Sequence, residues 1–382
     1  MKIKSRILLC ALLPLIGLIG CRKDDIIYPP EETVTGQPQL TSVSGFYLLN
    51  EGNMGSNKAT LDYYDYAEGK YTRNIYGAVN PEVPMEMGDV GNDLQIYGSR
   101  LYAVVNCSNK VEVMEAATAR RIGQIEIPNC RFIAFHEGYA YVTSYAGPVE
   151  IRPDYSQKGF VAKVDTATLE VVDRCLVGFQ PDGIAVSGGK LYVCNSGGYM
   201  VPNYENTVSV IDIASFTEER RIPVAVNLSL IRADSRGVLW ISSRGDYYNV
   251  ASRLYAYDTV ADRLVADLDV AVSDMDLCGD ILYVVSAAWS YETMSNAVTN
   301  AVVDTRTFEK VSDSFITDGT EKNIQIPYCV KVNPVTKEIL VTDARNYVNP
   351  GWLYCYSPEG VLQWSVRTGD IPAHICFTGK YR

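Results

Sequence analysis

LYVCNSGG at residues 191–198 is a short apolar run that breaks into Asn, Ser and Gly, and close copies of it recur along the chain. They are FYLLNEG (46–52), LYAVVNCSN (101–109), AYVTSYAG (140–147), LWISSRGD (239–246), LYVVSAAW (282–289) and ILVTDARN (339–346). The second positions are Tyr47, Tyr102, Tyr141, Tyr192, Trp240, Tyr283 and Leu340. The intervals are close to the ~40–50 residues of a propeller blade. Before most copies stands another apolar strand with a Gly or Asp turn, as in GIAVSGGK (183–190) and LIRADSRG (230–237). After them comes an alternating strand ending in an acidic residue, as in LDYYD (61–65), VAKVD (161–165), VSVID (208–212) and LYAYD (254–258). The acidic residue opens a turn because its carboxylate accepts the amides just ahead of it. Four short strands per unit, seven units, and no helical periodicity over three turns outside the first 20 residues predict an all-β, seven-bladed β-propeller spanning 45–382. The copy at Tyr47 has no inner strand before it, whereas the end of the chain, IPAHICF (371–377), reads like one. The C-terminal strand is therefore expected to complete blade one and close the ring, removing the open edges.

The segments outside the repeat read differently. Lys2, Lys4 and Arg6 precede an apolar stretch ending in Leu18, Ile19, Gly20 and Cys21. This resembles a bacterial lipobox and implies a signal peptide over 1–20, a lipid on Cys21 and a flexible tether over 21–44 rich in Pro, Thr and Ser. The charged run from Arg22 to Asp25 resembles the export signal of Bacteroidetes surface lipoproteins, so an outer-membrane, surface-exposed location is expected, with the lipid as the sole membrane contact. The net charge of −11, with no basic block after residue 23, argues against nucleic acid. Of 10 Cys, none forms a CxxC pair, which removes zinc-ribbon and thioredoxin-type sites. Buried free thiols are expected, with one or two disulfides remaining open.

In a propeller, the loops after the second strands and those entering the inner strands share one face. Polar and aromatic residues concentrate in the first set, and 144–159, 196–207 and 287–300 read as long loops. The candidate ligand-binding residues on that face are Asn53, Asn106, Tyr145, Asn195, Tyr199, Arg244, Asp246, Tyr247, Tyr248, Trp289, Tyr291, Arg345 and Tyr347. Together they describe a shallow amphipathic bowl suited to a large, partly apolar, hydrogen-bonding ligand. The plainer reading is that these aromatics pack between loops and stiffen them. Enzyme signatures are absent: no GxSxG, no HExxH, no phosphate loop, and two His, at 136 and 374, in structural settings. No catalytic residue, resident metal or cofactor is assigned, and the chain is expected not to be an enzyme. One enzyme alternative is a calcium-dependent, lactonase-like propeller hydrolase using Glu51, Asn106, Asn195 and Asp343 as oxygen ligands. Another alternative is a glycan- or protein-binding scaffold.

Across 45–382 the blades resemble YVTN-type propellers related to YncE. The runs FYLLNEGNMGSNKATLDYYD (46–65), GDVGNDLQIYGSRLYAVVN (88–106), SGGYMVPNYENTVSVID (196–212) and SRGDYYN (243–249) are similar to a narrower group, the BtuG-type surface lipoproteins of Bacteroidetes. That resemblance implies a receptor that captures cobalamin or a related corrinoid and passes it to a BtuB-type, TonB-dependent outer-membrane transporter. Axial coordination of cobalt by His374 would require its ring to reach the open face.

Overall fold

The computed structural model describes residues 29–35, 42–83, 87–290 and 295–379, the side chains of 288–290, 295 and 297 excepted. The stretch read as a signal peptide and Cys21, the expected lipid attachment point, lie outside the described residues. Seven antiparallel sheets follow one another around a ring, and six of them run from an inner strand outward in chain order. The inner strands are Gly91–Tyr97, Cys130–His136, Pro181–Ser187, Leu228–Ala233, Asp274–Cys278, Pro327–Val332 and Pro372–Gly379. Each touches the next, and the last touches the first, around the axis. The closing strand Pro372–Gly379 pairs with Val43–Asn50, so blade one is built from both ends of the chain as its missing inner strand predicted. Within the stretch expected as tether, Glu31–Thr33 is a fifth strand, paired to Lys70–Thr72 at the outer edge of blade one. Its pairing is reinforced by ion pairs from Lys70 to Glu31 and from Arg73 to Glu32, each at 2.9 Å.

The repeated second position faces the gaps between blades. Tyr102 meets Phe135, Tyr141 meets Phe216, Trp240 meets Phe308 and Tyr283 meets Phe315, with ring centroids 4.8–5.9 Å apart. Burying such rings supplies most of the cohesion between neighbouring blades. The turn acids behave as their chemistry requires: Asp165 accepts the amides of Ala167 and Thr168, and Asp258 those of Val260 and Ala261. The residue closing several of these turns sits in the left-handed region, as at Leu169, Phe216, Asp262 and Phe308.

Neighbouring inner strands are also joined by hydrogen bonds. Most inner strands carry a register shift near their start, which frees an amide from the ladder. Thr143 takes up the Phe132 amide and donates onward to the Asp182 carbonyl of the next blade, at 3.0 and 2.8 Å. Thr342 does the same between Cys329 and Pro372. The Asp93 and Asp276 carboxylates accept the Ile133 and Val332 amides of the following inner strands. The eight cysteines of the ring are free thiols, most of them buried. Ending the chain at Ile371 should leave the Val43–Asn50 edge unpaired. Light scattering should then detect soluble oligomers or precipitate, and a monomer as stable as the full chain would contradict closure by the last strand.

Candidate functional site

The bowl is made by two rings of homologous positions. The first is the residue that follows the second strand's common end: Glu51, Asn106, Tyr145, Ser196, Arg244, Ala287 and Ala344. In six blades its amide donates to a carbonyl in the loop entering the inner strand: Glu51 to Ile371, Asn106 to Val90, Tyr145 to Asn129, Ser196 to Gln180, Arg244 to Asn227 and Ala344 to Ile326. Five of those acceptors, all but Ile326, have φ between 42° and 62°, the left-handed conformation that turns the carbonyl toward its partner. The sixth blade differs. Ala287 donates instead to the Ser273 hydroxyl at 3.1 Å, and its inner strand keeps an unbroken register.

The second ring is the start of each inner strand: Asn92, Arg131, Asp182, Ser229, Asp274, Tyr328 and Ala373. All but Asp182 line an open cavity of about 1120 Å³ at the channel mouth, together with Glu51, Phe132, Arg244, Tyr247, Tyr248, Asn249, Tyr347 and His374. That volume slightly exceeds the ~300–1,000 Å³ of most small-molecule sites, so the bowl accommodates a broad ligand.

The rings interlock through charge. Asp182 is fully buried and accepts from Arg131 Nε at 2.9 Å, from Arg244 Nη1 at 2.8 Å and from the Tyr145 hydroxyl at 2.6 Å. Burial alone would push its carboxyl up, but the two guanidiniums and the hydroxyl hold it below the usual range. The Arg131 guanidinium also lies over the Tyr145 ring, 4.9 Å from its centre. On the opposite side Tyr328 donates to Glu51 Oε2 at 3.0 Å. Burial pushes the Glu51 carboxyl up to about 7, although Tyr328 and Arg131 pull the other way. Burial likewise holds the His374 imidazole down to about 4, with Asp93 opposing, so at neutral pH it presents an uncharged ring to the cavity.

The candidate residues divide accordingly. Arg244, Tyr247, Tyr248 and Tyr347 line the cavity, the two adjacent tyrosines 50% and 73% exposed. Tyr247 and Tyr347 occupy equivalent loops of blades five and seven and both have positive φ, 66° and 62°. Such a backbone costs roughly 1–3 kcal/mol for a bulky residue and recurs where side chains are held for binding. Tyr145 supports the floor from below, and Tyr199 packs edge-on against it at 6.3 Å. Asn106, Asn195 and Asp246, expected in the bowl, instead have their side chains engaged by the protein itself. Asn106 donates to Asn129 and the Cys130 carbonyl, and buried Asn195 bridges Gly178, Thr207 and Ser209. Asp246 accepts the amides of Tyr248, Asn249 and Val250, because a short carboxylate in a tight turn is captured by the turn itself. Asn53 offers its carbonyl to Ser56 within a turn, and the Arg345 amide is held by Asp343. Of the four oxygen ligands considered for a calcium ion, Asn195 and Asp343 accept backbone amides and Glu51 accepts from Tyr328, and no group of three or more Asp, Glu, His or Cys able to hold a metal occurs among the described residues. The 287–300 loop is instead a hairpin continuing blade six, paired out to Ser290 and Ser295, because its residues extend the strand alternation. The Trp289 side chain and Tyr291 lie outside the described residues.

Sequence reasoning missed Arg131, Asp182, Asn92, Phe132 and Tyr328. The available signal was the repeat itself: the second residue of an inner strand points into the mouth in blade after blade.

Residues 44–369 match the family model DUF5074, described as a domain of unknown function. No curated protein matches the chain. Similar solved structures include hydrazine synthase of Kuenenia stuttgartiensis, at 16% identity over 75% of this chain and 89% of that one, with a TM-score of 0.58. A quinonprotein alcohol dehydrogenase-like protein from Bacteroides thetaiotaomicron is 13% identical over 88% and 78% of the two chains, with a TM-score of 0.58. The Pan2 WD40 domain of Neurospora crassa is 10% identical over 76% and 80%, with a TM-score of 0.50. At these identities the likeness extends to the propeller fold alone.

Glu51 binds its proton more tightly folded than unfolded. Its contribution to stability is therefore fully present below about 4.5 and is lost as the pH rises through about 7. The neutral isostere Glu51→Gln should gain about 1–3 kcal/mol relative to wild type between pH 4 and pH 8, read from denaturant midpoints. Parallel midpoint curves for the two proteins across that range would contradict the assignment.

Proposed function

The chain belongs to the DUF5074 family, and from that premise we propose that it is a surface-anchored binding propeller whose bowl captures cobalamin or a related corrinoid for delivery to an outer-membrane transporter. The observation that carries this reading is the composition of the cavity wall. Phe132, Tyr247, Tyr248, Tyr328 and Tyr347 supply flat apolar area, while Asn92, Asn249, Asn346, Arg131 and Arg244 lie between them. A corrin is a broad disc rimmed with amides, and this alternation of rings with amide and guanidinium groups meets both parts of it. The resemblance of the long loops to BtuG-type lipoproteins supplies the identity of the ligand; the shape and chemistry of the mouth agree with it.

Binding here is stacking plus peripheral hydrogen bonding. Exposed Tyr247 and Tyr248 lose water when a disc lies against them, and their strained loop holds them in place beforehand, so little ordering entropy opposes capture. His374 lines the cavity with an uncharged imidazole, the protonation state that a metal centre accepts. The fifth strand ties the N-terminal side of the chain to the rim of blade one, so a lipid on Cys21 would hold the propeller by that rim and leave the bowl free to cover a transporter mouth.

Calorimetric titration of the full chain with cyanocobalamin should show saturable one-to-one binding. Tyr247→Ala or Tyr347→Ala should weaken it about 10- to 100-fold, the usual range for an aromatic anchor in a binding patch. Binding unchanged by both substitutions would move the site elsewhere, and the absence of heat and of a co-migrating coloured complex would remove the corrinoid.

A further inference from the structure

Two guanidiniums, those of Arg131 and Arg244, border the mouth of a chain whose net charge is −11. Arg131 and Arg244 come from blades three and five and converge on one carboxylate, Asp182 of blade four, so the cluster holds two cationic groups and one anionic group. Each arginine uses a single nitrogen on Asp182, Nε for Arg131 and Nη1 for Arg244. The remaining guanidinium N–H groups of both meet no protein acceptor among the described residues, and both side chains border the cavity. Arg131 is backed by the Tyr145 ring, and its carbonyl accepts from the Asn92 amide at 2.6 Å. The acids that also border the cavity are engaged elsewhere. The Asp274 carboxylate accepts the Val330 amide at 3.0 Å and lies 3.8 Å from Arg232, and Asp269 pairs with Arg253 at 3.2 Å. Glu51 is held by Tyr328.

Two planar guanidiniums with free N–H groups, oriented by a shared buried carboxylate, match the geometry of a tetrahedral or planar oxyanion. We propose that Arg131 and Arg244 form an oxyanion clamp that takes a phosphate group of the ligand seated in the bowl. The proposal deepens the corrinoid reading and rests on it for the identity of the whole ligand: a complete corrinoid carries a phosphodiester between its corrin and its nucleotide, and a truncated cobinamide carries none. The clamp draws the phosphate to the blade three to five side and leaves the tyrosines of blades five and seven to the ring. Asp182 is a positioning residue here. It keeps the two cations together in spite of their mutual repulsion and makes no contact with the ligand.

The test has two arms, both on the full chain. In the first, cyanocobalamin and dicyanocobinamide are titrated against wild type, Arg244→Gln and Arg244→Lys. Wild type should prefer the phosphate-bearing corrinoid about 10- to 100-fold, as expected for a charge-assisted contact. Arg244→Gln should erase that preference, lowering cyanocobalamin affinity by far more than cobinamide affinity, and Arg244→Lys should keep part of it. Asp182 retains Arg131 and Tyr145 in these variants, so the floor keeps its partnered carboxylate, and a thermal midpoint confirms folding. In the second arm, inorganic pyrophosphate is added at constant ionic strength and the thermal midpoint is followed. It should rise in wild type and stay flat in Arg244→Gln. A pyrophosphate response with no binding of either corrinoid would sink the corrinoid reading and keep the clamp. Equal affinity for the two corrinoids in wild type, or a preference that Arg244→Gln leaves intact, would sink the clamp and keep the receptor.

Discussion

The structure depends on one repeated hydrogen bond, from the amide after each second strand to a carbonyl in the loop entering the inner strand. It closes the top of six blades, from Glu51 with Ile371 round to Ala344 with Ile326. Without it the two loops of each blade would separate, and the side chains at the mouth would have no common origin. The bond requires the acceptor to turn its carbonyl outward, and five of the six acceptors do so by adopting a left-handed backbone. Buried polar groups must be satisfied, so this stitch orders the mouth whatever side chains it carries. Blade six satisfies the same amide with a serine hydroxyl, and there the inner strand runs straight and the hairpin extends.

The fold was legible because a propeller writes its unit repeatedly. Tyr102, Tyr141, Trp240 and Tyr283 mark equivalent strands, the turn acids mark equivalent corners, and the orphan strand ending at Phe377 reveals how the ring closes. The site was only half legible, for a physical reason. Loop residues such as Tyr247, Tyr248 and Tyr347 are visible as exposed aromatics in polar runs. Arg131 and Asp182 stand at the heads of apolar inner strands, where a single charge reads as an edge residue. Only the ring brings them within 2.9 Å of each other. Conversely, Asn195 and Asp246 looked available because short polar residues at strand ends are written the same way whether they face a ligand or cap a turn.

The electrostatics of the mouth follow from placing charges where water is scarce. Asp182 stays ionised because two cations and a phenol surround it, whereas Glu51, with one phenol and a more distant cation, is pushed upward. Two carboxylates on one floor therefore behave oppositely, Asp182 ionised between its two cations and Glu51 partly protonated at neutral pH. Aromatic faces fill the remainder, so the cavity has a polarity axis as well as a shape. Orientation of anything seated there is set by the backbone ring beneath it.

The outermost strand of blade one has a mechanical meaning. Glu31–Thr33 is held by three residue pairs and two ion pairs, while the closing strand is held by a ladder running from Val43 to Asn50. Tension applied at the N-terminal side reaches the short strand first and can peel it without opening the ring. Peeling frees about 10 Å of chain, from about 3.4 Å for each residue of the strand. The three-residue strand is thus a sacrificial clasp. Pulled from that side, it gives way before the longer ladder that closes the ring.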